Sequence, residues 1–226
     1  MSLNIQYIFL IALVLLGFLA GYRLGDRQSK EIKLLLSFSG AFLLAMTFFE
    51  LVPELYSEGE NKKYGLFVLI GILLQTFLEF FSKGAEHGHV HSPSSQKSFP
   101  WILFISLSVH ALLEGVPLSE ENNLVFGILI HKLPVAVLLG ILFVKAGISK
   151  PLTLLFAIGF SLMSPIGNLL MGQAWSLPFH KEVTAISVGI LLHVSTVIIF
   201  ESGEGHRFNL RKLLSICLGI ALAYLL

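Results

Sequence analysis

Eight apolar runs, at about 4–22, 34–56, 64–82, 100–119, 123–145, 150–172, 183–201 and 210–226, take up most of this 226-residue chain. In a bilayer a backbone N–H or C=O has no water to bond, so a lipid-embedded run must close its hydrogen bonds within itself, as a helix. Roughly 20 residues at 1.5 Å each cross a hydrocarbon core ~30 Å thick. The repetition therefore predicts an all-α membrane protein of eight transmembrane helices. Only 13% of residues are charged, against about 25% in a soluble domain. Little sequence is left between the runs, so residues 1–226 read as a single transmembrane domain.

The polar connections set the orientation. The first, third, fifth and seventh hold Arg23, Arg27, Lys30, Lys33, Lys83, Lys97, Lys145, Lys150, Arg207, Arg211 and Lys212, while the others hold only Lys62, Lys63 and Lys181. Basic residues accumulate on the cytoplasmic side. The expected topology therefore has both termini extracytoplasmic and the odd-numbered connections in the cytoplasm. The start, Met1-Ser-Leu-Asn, lacks the positive segment of a cleaved leader, so the first run is expected to be retained. A net charge of +1 supplies no field for nucleic acid. The one cysteine, Cys217, can form neither an internal disulfide nor a cysteine-based metal site. The longest connection, 83–99, is polar and carries His87, His89 and His91. It reads as a disordered cytoplasmic loop, either simply solvated or able to capture metal loosely.

An ionisable group at mid-membrane costs roughly 2.5–3.5 kcal/mol, so each starts as a functional candidate. Here they are Glu50, Glu79, His110, Glu114, His131, Lys132, His193 and Glu201, with Glu54 near the outer end of helix two. His110 and Glu114, four apart, share one face of helix four. His110 lies ~13 Å and His131 ~12 Å from the outer ends of helices four and five, so two imidazoles and a carboxylate can meet at one depth. That donor set suits a borderline-soft divalent ion such as zinc or iron and suits magnesium or calcium poorly. Pro117 and Pro134 each follow a candidate ligand by three residues. Each removes a backbone bond, freeing a carbonyl one turn back, at Leu113 and Ile130, as in the broken helices of transporter sites. Glu50 and Glu54 could line an outer mouth, and Glu79 and Glu201 an exit; solvated helix ends explain these four equally well. His193 reads either as part of such a pathway or as a packed, hydrogen-bonded residue.

These residues resemble the ZIP (Zrt-, Irt-like) family of divalent-metal transporters. His110-Ala-Leu-Leu-Glu114-Gly-Val-Pro-Leu is similar to that family's His-Ser/Asn-x-x-Glu-Gly-x-Ala-Leu. His131-Lys-Leu-Pro-Val-Ala-Val-Leu-Leu-Gly140 is similar to its His-Glu/Lys-x-Pro-x-x-x-x-x-Gly. Glu50-Leu-Val-Pro-Glu54 resembles its His-Leu-Leu-Pro-Glu, with Glu50 where His is usual, and Ser164-Pro-Ile-Gly167 resembles the Pro-x-Gly of helix six. The resemblance implies a plasma-membrane homodimer carrying zinc, iron or manganese into the cytosol by alternating access. The metal is then substrate, with no organic cofactor, and His110, Glu114 and His131 are its ligands, between helices four and five. Many members have a second, adjacent metal site. Its positions correspond here to Ala111, Lys132, Val135 and Ser164, none of them a carboxylate, so the second site is expected to be absent and Lys132 to stand in for its ion by pairing with Glu114. Zinc is favoured on the resemblance alone.

Two other classes compete. An intramembrane metal-dependent hydrolase would also bury His and Glu, but there is no His-Glu-x-x-His to supply two ligands and a base on one face. The expectation is therefore not an enzyme. A non-transporting metal sensor would fit the missing second site. Export or metal–proton exchange also stays open, because sequence gives no direction of flux, and no Gly-x-x-x-x-Gly-Lys phosphate loop is present to couple ATP.

Overall fold

The computed structural model describes residues 1–25, 30–57, 61–82, 99–173, 176–201 and 210–226. The loop histidines His87, His89 and His91 and the Glu201 side chain lie outside the described residues. Helix α1 spans Leu3–Leu24. Helix α2 runs Lys30–Met46, widens into a π turn at Thr47–Leu51, and resumes at Val52–Tyr56. Then follow α3 (Asn61–Ser82), α4 (Trp101–Gly115), α5 (Leu124–Lys145), α6 (Lys150–Met171), a short 3-10 turn at Leu177–Phe179, α7 (His180–Glu201) and α8 (Leu210–Tyr224). The described residues are all-helical, as the apolar runs predict. Six stretches are long and apolar enough to cross a membrane: Leu3–Leu24, Glu31–Tyr56, Lys62–Ser82, Leu124–Lys145, Lys150–Met171 and His180–Phe200. The other two helices, α4 and α8, have 15 residues each, or ~22 Å, less than the ~30 Å core.

Local chemistry sets the breaks. Pro53 has no N–H to offer the Phe49 carbonyl. Just upstream the register widens, and the Val52 N–H reaches back to the Thr47 carbonyl. Helix α5 gives way to Gly147, whose φ of 67° falls where a Cβ is disfavoured. Ser149 precedes α6, and Pro151 sits in its first turn, where a missing N–H costs nothing.

The helices form four tight pairs. Over half of the spanning windows of α2, α5 and α7 is buried, against less than half for α1, α3 and α6. Helix α1 packs chiefly on α5, α3 on α7, α8 on α2 and α6 on α4. Lipid tails are as apolar as leucine, so such pairs are held by close packing between small residues. On α4 and α6, a Cβ added to Gly115 would lie 2.1 Å from the Ser164 carbonyl oxygen, and one added to Gly167 would lie 1.9 Å from that of Leu112. Those backbones touch. By contrast, α4 and α5, consecutive in the chain, make little backbone contact with each other.

One end of the bundle gathers both termini. The Leu3 N–H donates to Glu120 Oε1 at 3.0 Å, Gln6 Nε2 to the Ser119 carbonyl at 2.8 Å, and Asn123 Nδ2 to the Leu226 carbonyl at 3.0 Å.

Candidate metal centre

Helices α4 and α5 meet through side chains. His110, Glu114 and His131 each bring one ligand atom to within 4.8 Å of the others, the one such group of three or more among the described residues. The spacing of four on α4 and the matched depth on α5 thus converge in space. The His110 and His131 rings stand nearly perpendicular, at 77°, with centroids 6.3 Å apart. His110 is 3% exposed, Glu114 0% and His131 2%, so the cluster faces the bundle interior rather than lipid, where polar groups in membrane segments are expected.

Lys132 completes the cluster. Its Nζ lies 2.8 Å from Glu114 Oε2 and 4.8 Å from the centroid of the Phe160 ring, whose face favours a cation. The other Glu114 oxygen, Oε1, is buried without a hydrogen-bond partner. A lone carboxylate or ammonium would be costly here; as a pair they largely cancel.

The other positions that the resemblance compares with a second site lie in apolar or hydrogen-bonded surroundings. Ala111 and Val135 belong to the apolar cluster built around Phe143, Phe156 and Phe160. Ser164 spends its hydroxyl on the Ala111 carbonyl, 2.8 Å away. These contacts tie α4 to its neighbours.

Several residues that sequence reading passed over hold the cluster. Gln75, fully buried on α3, places Oε1 3.1 Å from His110 Nδ1. Its one signal in sequence is an amide within an apolar run. Ser187 of α7 donates to the Leu113 carbonyl at 2.6 Å, and the Val116 N–H reaches the same oxygen at 3.2 Å. The expectation that Pro117 leaves Leu113 with a free carbonyl is therefore corrected. Helix α4 ends at Gly115, before the proline, and the carbonyl is satisfied from another helix. Pro134 does lie inside α5. Past the end of α4, Asn168 of α6 donates to the carbonyls of Val116 and Leu118 at 3.2 and 2.6 Å, and accepts from the Tyr7 hydroxyl of α1 at 2.6 Å.

The pathway candidates fall apart from this group. Glu50 lies within the π turn and is half-buried, and Glu54 is exposed. Glu79 and His193 face each other between α3 and α7, with Oε2 and Nε2 2.8 Å apart. They are 114 residues apart in the chain, too far for any helical spacing to show the pairing.

Similarity to known proteins follows the same segments. Protein zntD of Dictyostelium discoideum is 37% identical over 151 residues, covering 56% of this chain and 22% of that protein. Zinc transporter ZIP1 of Danio rerio is 32% identical over 90 residues, covering 36% of this chain and 29% of that protein. The chain thus spans less than a third of the length of either relative. The sequence profile of the ZIP zinc transporter family matches residues 82–226, which include α4 and α5 with His110, Glu114 and His131, and the chain is a multi-pass membrane protein of the ZIP family.

Proposed function

We propose that this protein carries a divalent metal ion across the membrane, zinc into the cytosol, through a single site made by His110, Glu114 and His131. One observation carries the reading. Two imidazoles and a carboxylate from two helices bring their ligand atoms within 4.8 Å of one another, all three buried inside the bundle. The family is one of transporters, not of enzymes, so the hydrolase alternative falls. Eight spans with both termini extracytoplasmic complete the reading, α4 and α8 being short spans. The two termini, gathered at one end of the bundle, support that topology. Residues 1–226 act as one transporter domain, with the 83–99 loop on its cytoplasmic face, in a plasma-membrane homodimer. Flux follows alternating access.

Charge explains how such a site could release its cargo. With neutral imidazoles, Glu114 and Lys132 sum to zero, so an arriving dication brings two uncompensated charges into a buried place. Lys132 thus takes the role a second metal would have, holding one carboxylate oxygen while Oε1 faces the cargo, and it keeps binding weak enough for exit. Gln75 Oε1, accepting from His110 Nδ1–H, would leave the His110 Nε2 lone pair for the ion.

The test is uptake of radioactive zinc into proteoliposomes by wild type, His110→Ala and Glu114→Ala, against competing iron, manganese and cadmium. Accumulation by wild type and background levels in both variants are expected. Stoichiometric binding without accumulation would favour a sensor and overturn transport.

A further inference from the structure

A second feature lies at the other end of the bundle from the termini and involves none of the metal-site residues. Helices α1 and α6 part there to leave a cleft of about 580 Å³, within the roughly 300–1,000 Å³ of ligand sites. Its floor is Phe18, Thr153 and Ala157, all buried. Leu19 and Leu154 form exposed lips. The one hydroxyl in the floor, on Thr153, donates to the carbonyl of Ser149, one turn back, at 3.1 Å, so the floor itself holds no free donor.

The mouth is of opposite character. Arg23, in the last turn of α1, and Lys150, the first residue of α6, both line it and are both exposed. Lys150 Nζ lies 6.0 Å from the centroid of the Tyr22 ring. Tyrosine with basic residues at a helix end marks the interfacial level of a bilayer. The cleft therefore runs from headgroup depth into the apolar zone, with two cations at its polar end.

We infer that this cleft binds one anionic glycerophospholipid, an acyl chain lying on Phe18 and Ala157 and the phosphate between Arg23 and Lys150. Charge complementarity decides the occupant. A zwitterionic lipid could fill the apolar part but would leave two cations without net counter-charge. A water-soluble anion could meet the cations but would leave the apolar part unfilled. Basic pockets between membrane helices on the cytoplasmic side suit acidic headgroups, which are concentrated in that leaflet.

Native mass spectrometry of the full chain in detergent, titrated with phosphatidylglycerol or phosphatidylcholine of matched acyl chains, tests this. Wild type should retain one phosphatidylglycerol with about tenfold or greater preference. Arg23→Gln/Lys150→Gln should lose the preference, and Lys145→Gln/Arg211→Gln, removing the same charge at the same end, should keep it. Equal retention of the two lipids by wild type, or equal loss in both double variants, would overturn the inference. A diazirine-bearing phosphatidylglycerol tests it on unaltered protein. Crosslinks should map to 15–22 and 153–157, and crosslinks spread over the other helices instead would contradict it. Excess glycerol phosphate should leave the lipid bound; displacement would mean a site for the soluble anion and refute the lipid assignment.

Discussion

Helix α4 has two seams of opposite construction. Toward α6 the backbones touch at Gly115 and Gly167, and Ser164 and Asn168 clip α4 and the turn beyond it. Toward α5 there is little backbone contact, and histidines, a carboxylate and an ammonium span the interval. The first seam holds the helix through backbone contact and hydrogen bonds between neutral groups. The second sets polar groups face to face, beside an apolar cluster that Leu107 and Ala111 of α4 share with Val135, Ala136 and Leu139 of α5. On the proposed reading, the tight face would hold His110 and Glu114 in line with His131.

The largest expected effect comes from breaking the tight seam. Gly167→Val would set a Cβ 1.9 Å from the Leu112 oxygen, and backbone cannot yield as a side-chain tip can. Folded protein recovered from membranes should fall to a small fraction of wild type, read by size-exclusion profile. If Gly167→Val folded and transported normally, the rigid-seam half of the comparison would be lost.

Next is the charge pair in the open seam. Lys132→Ala strands the buried Glu114 carboxylate, and breaking a buried pair costs about 3–5 kcal/mol. A clearly lowered melting temperature is expected, with zinc restoring more of it than it adds to wild type, since a dication can now replace the lost ammonium. Zinc should bind more tightly and maximal uptake should drop. Unchanged uptake and unchanged affinity would rule out a role for Lys132.

A smaller effect is expected at the support of the site. Gln75→Leu keeps the volume near His110 but removes the acceptor at Nδ1. Groups that orient a ligating His are worth about 10–100-fold in metal affinity. Zinc titration should show a loss in that range with folding intact, and no loss would mean that Gln75 only packs.

How far sequence reached follows the same division. The shared side of His110 and Glu114 was legible, because a spacing of four fixes it; the depth that brings in His131 was counted from an α4 end at about 119, and the three residues come together although α4 ends at Gly115. The polar character of Lys132 beside missing carboxylates was legible too, and its pairing with Glu114, expected from opposite charge, is present at 2.8 Å. The tight seam was not legible. Gly115 and Gly167 stand out in sequence only as motif positions, their close approach appears once the partner backbone is known, and the sequence cannot say that α4 leans on α6 rather than on α5. Gln75 joins one helix to the next, and Ser187 and the Glu79–His193 pair join helices distant in the chain; no periodicity reports contacts between helices. Pro117 misled because its effect depends on where α4 ends, and helix ends are the least certain part of a sequence reading.

The most direct test of the open seam as a metal site is X-ray absorption at the zinc edge on purified, zinc-loaded protein. The account predicts two imidazole nitrogens at about 2.0–2.1 Å with one carboxylate oxygen, and one imidazole fewer in His131→Ala as in His110→Ala. A spectrum that neither substitution alters would mean that the ion sits elsewhere.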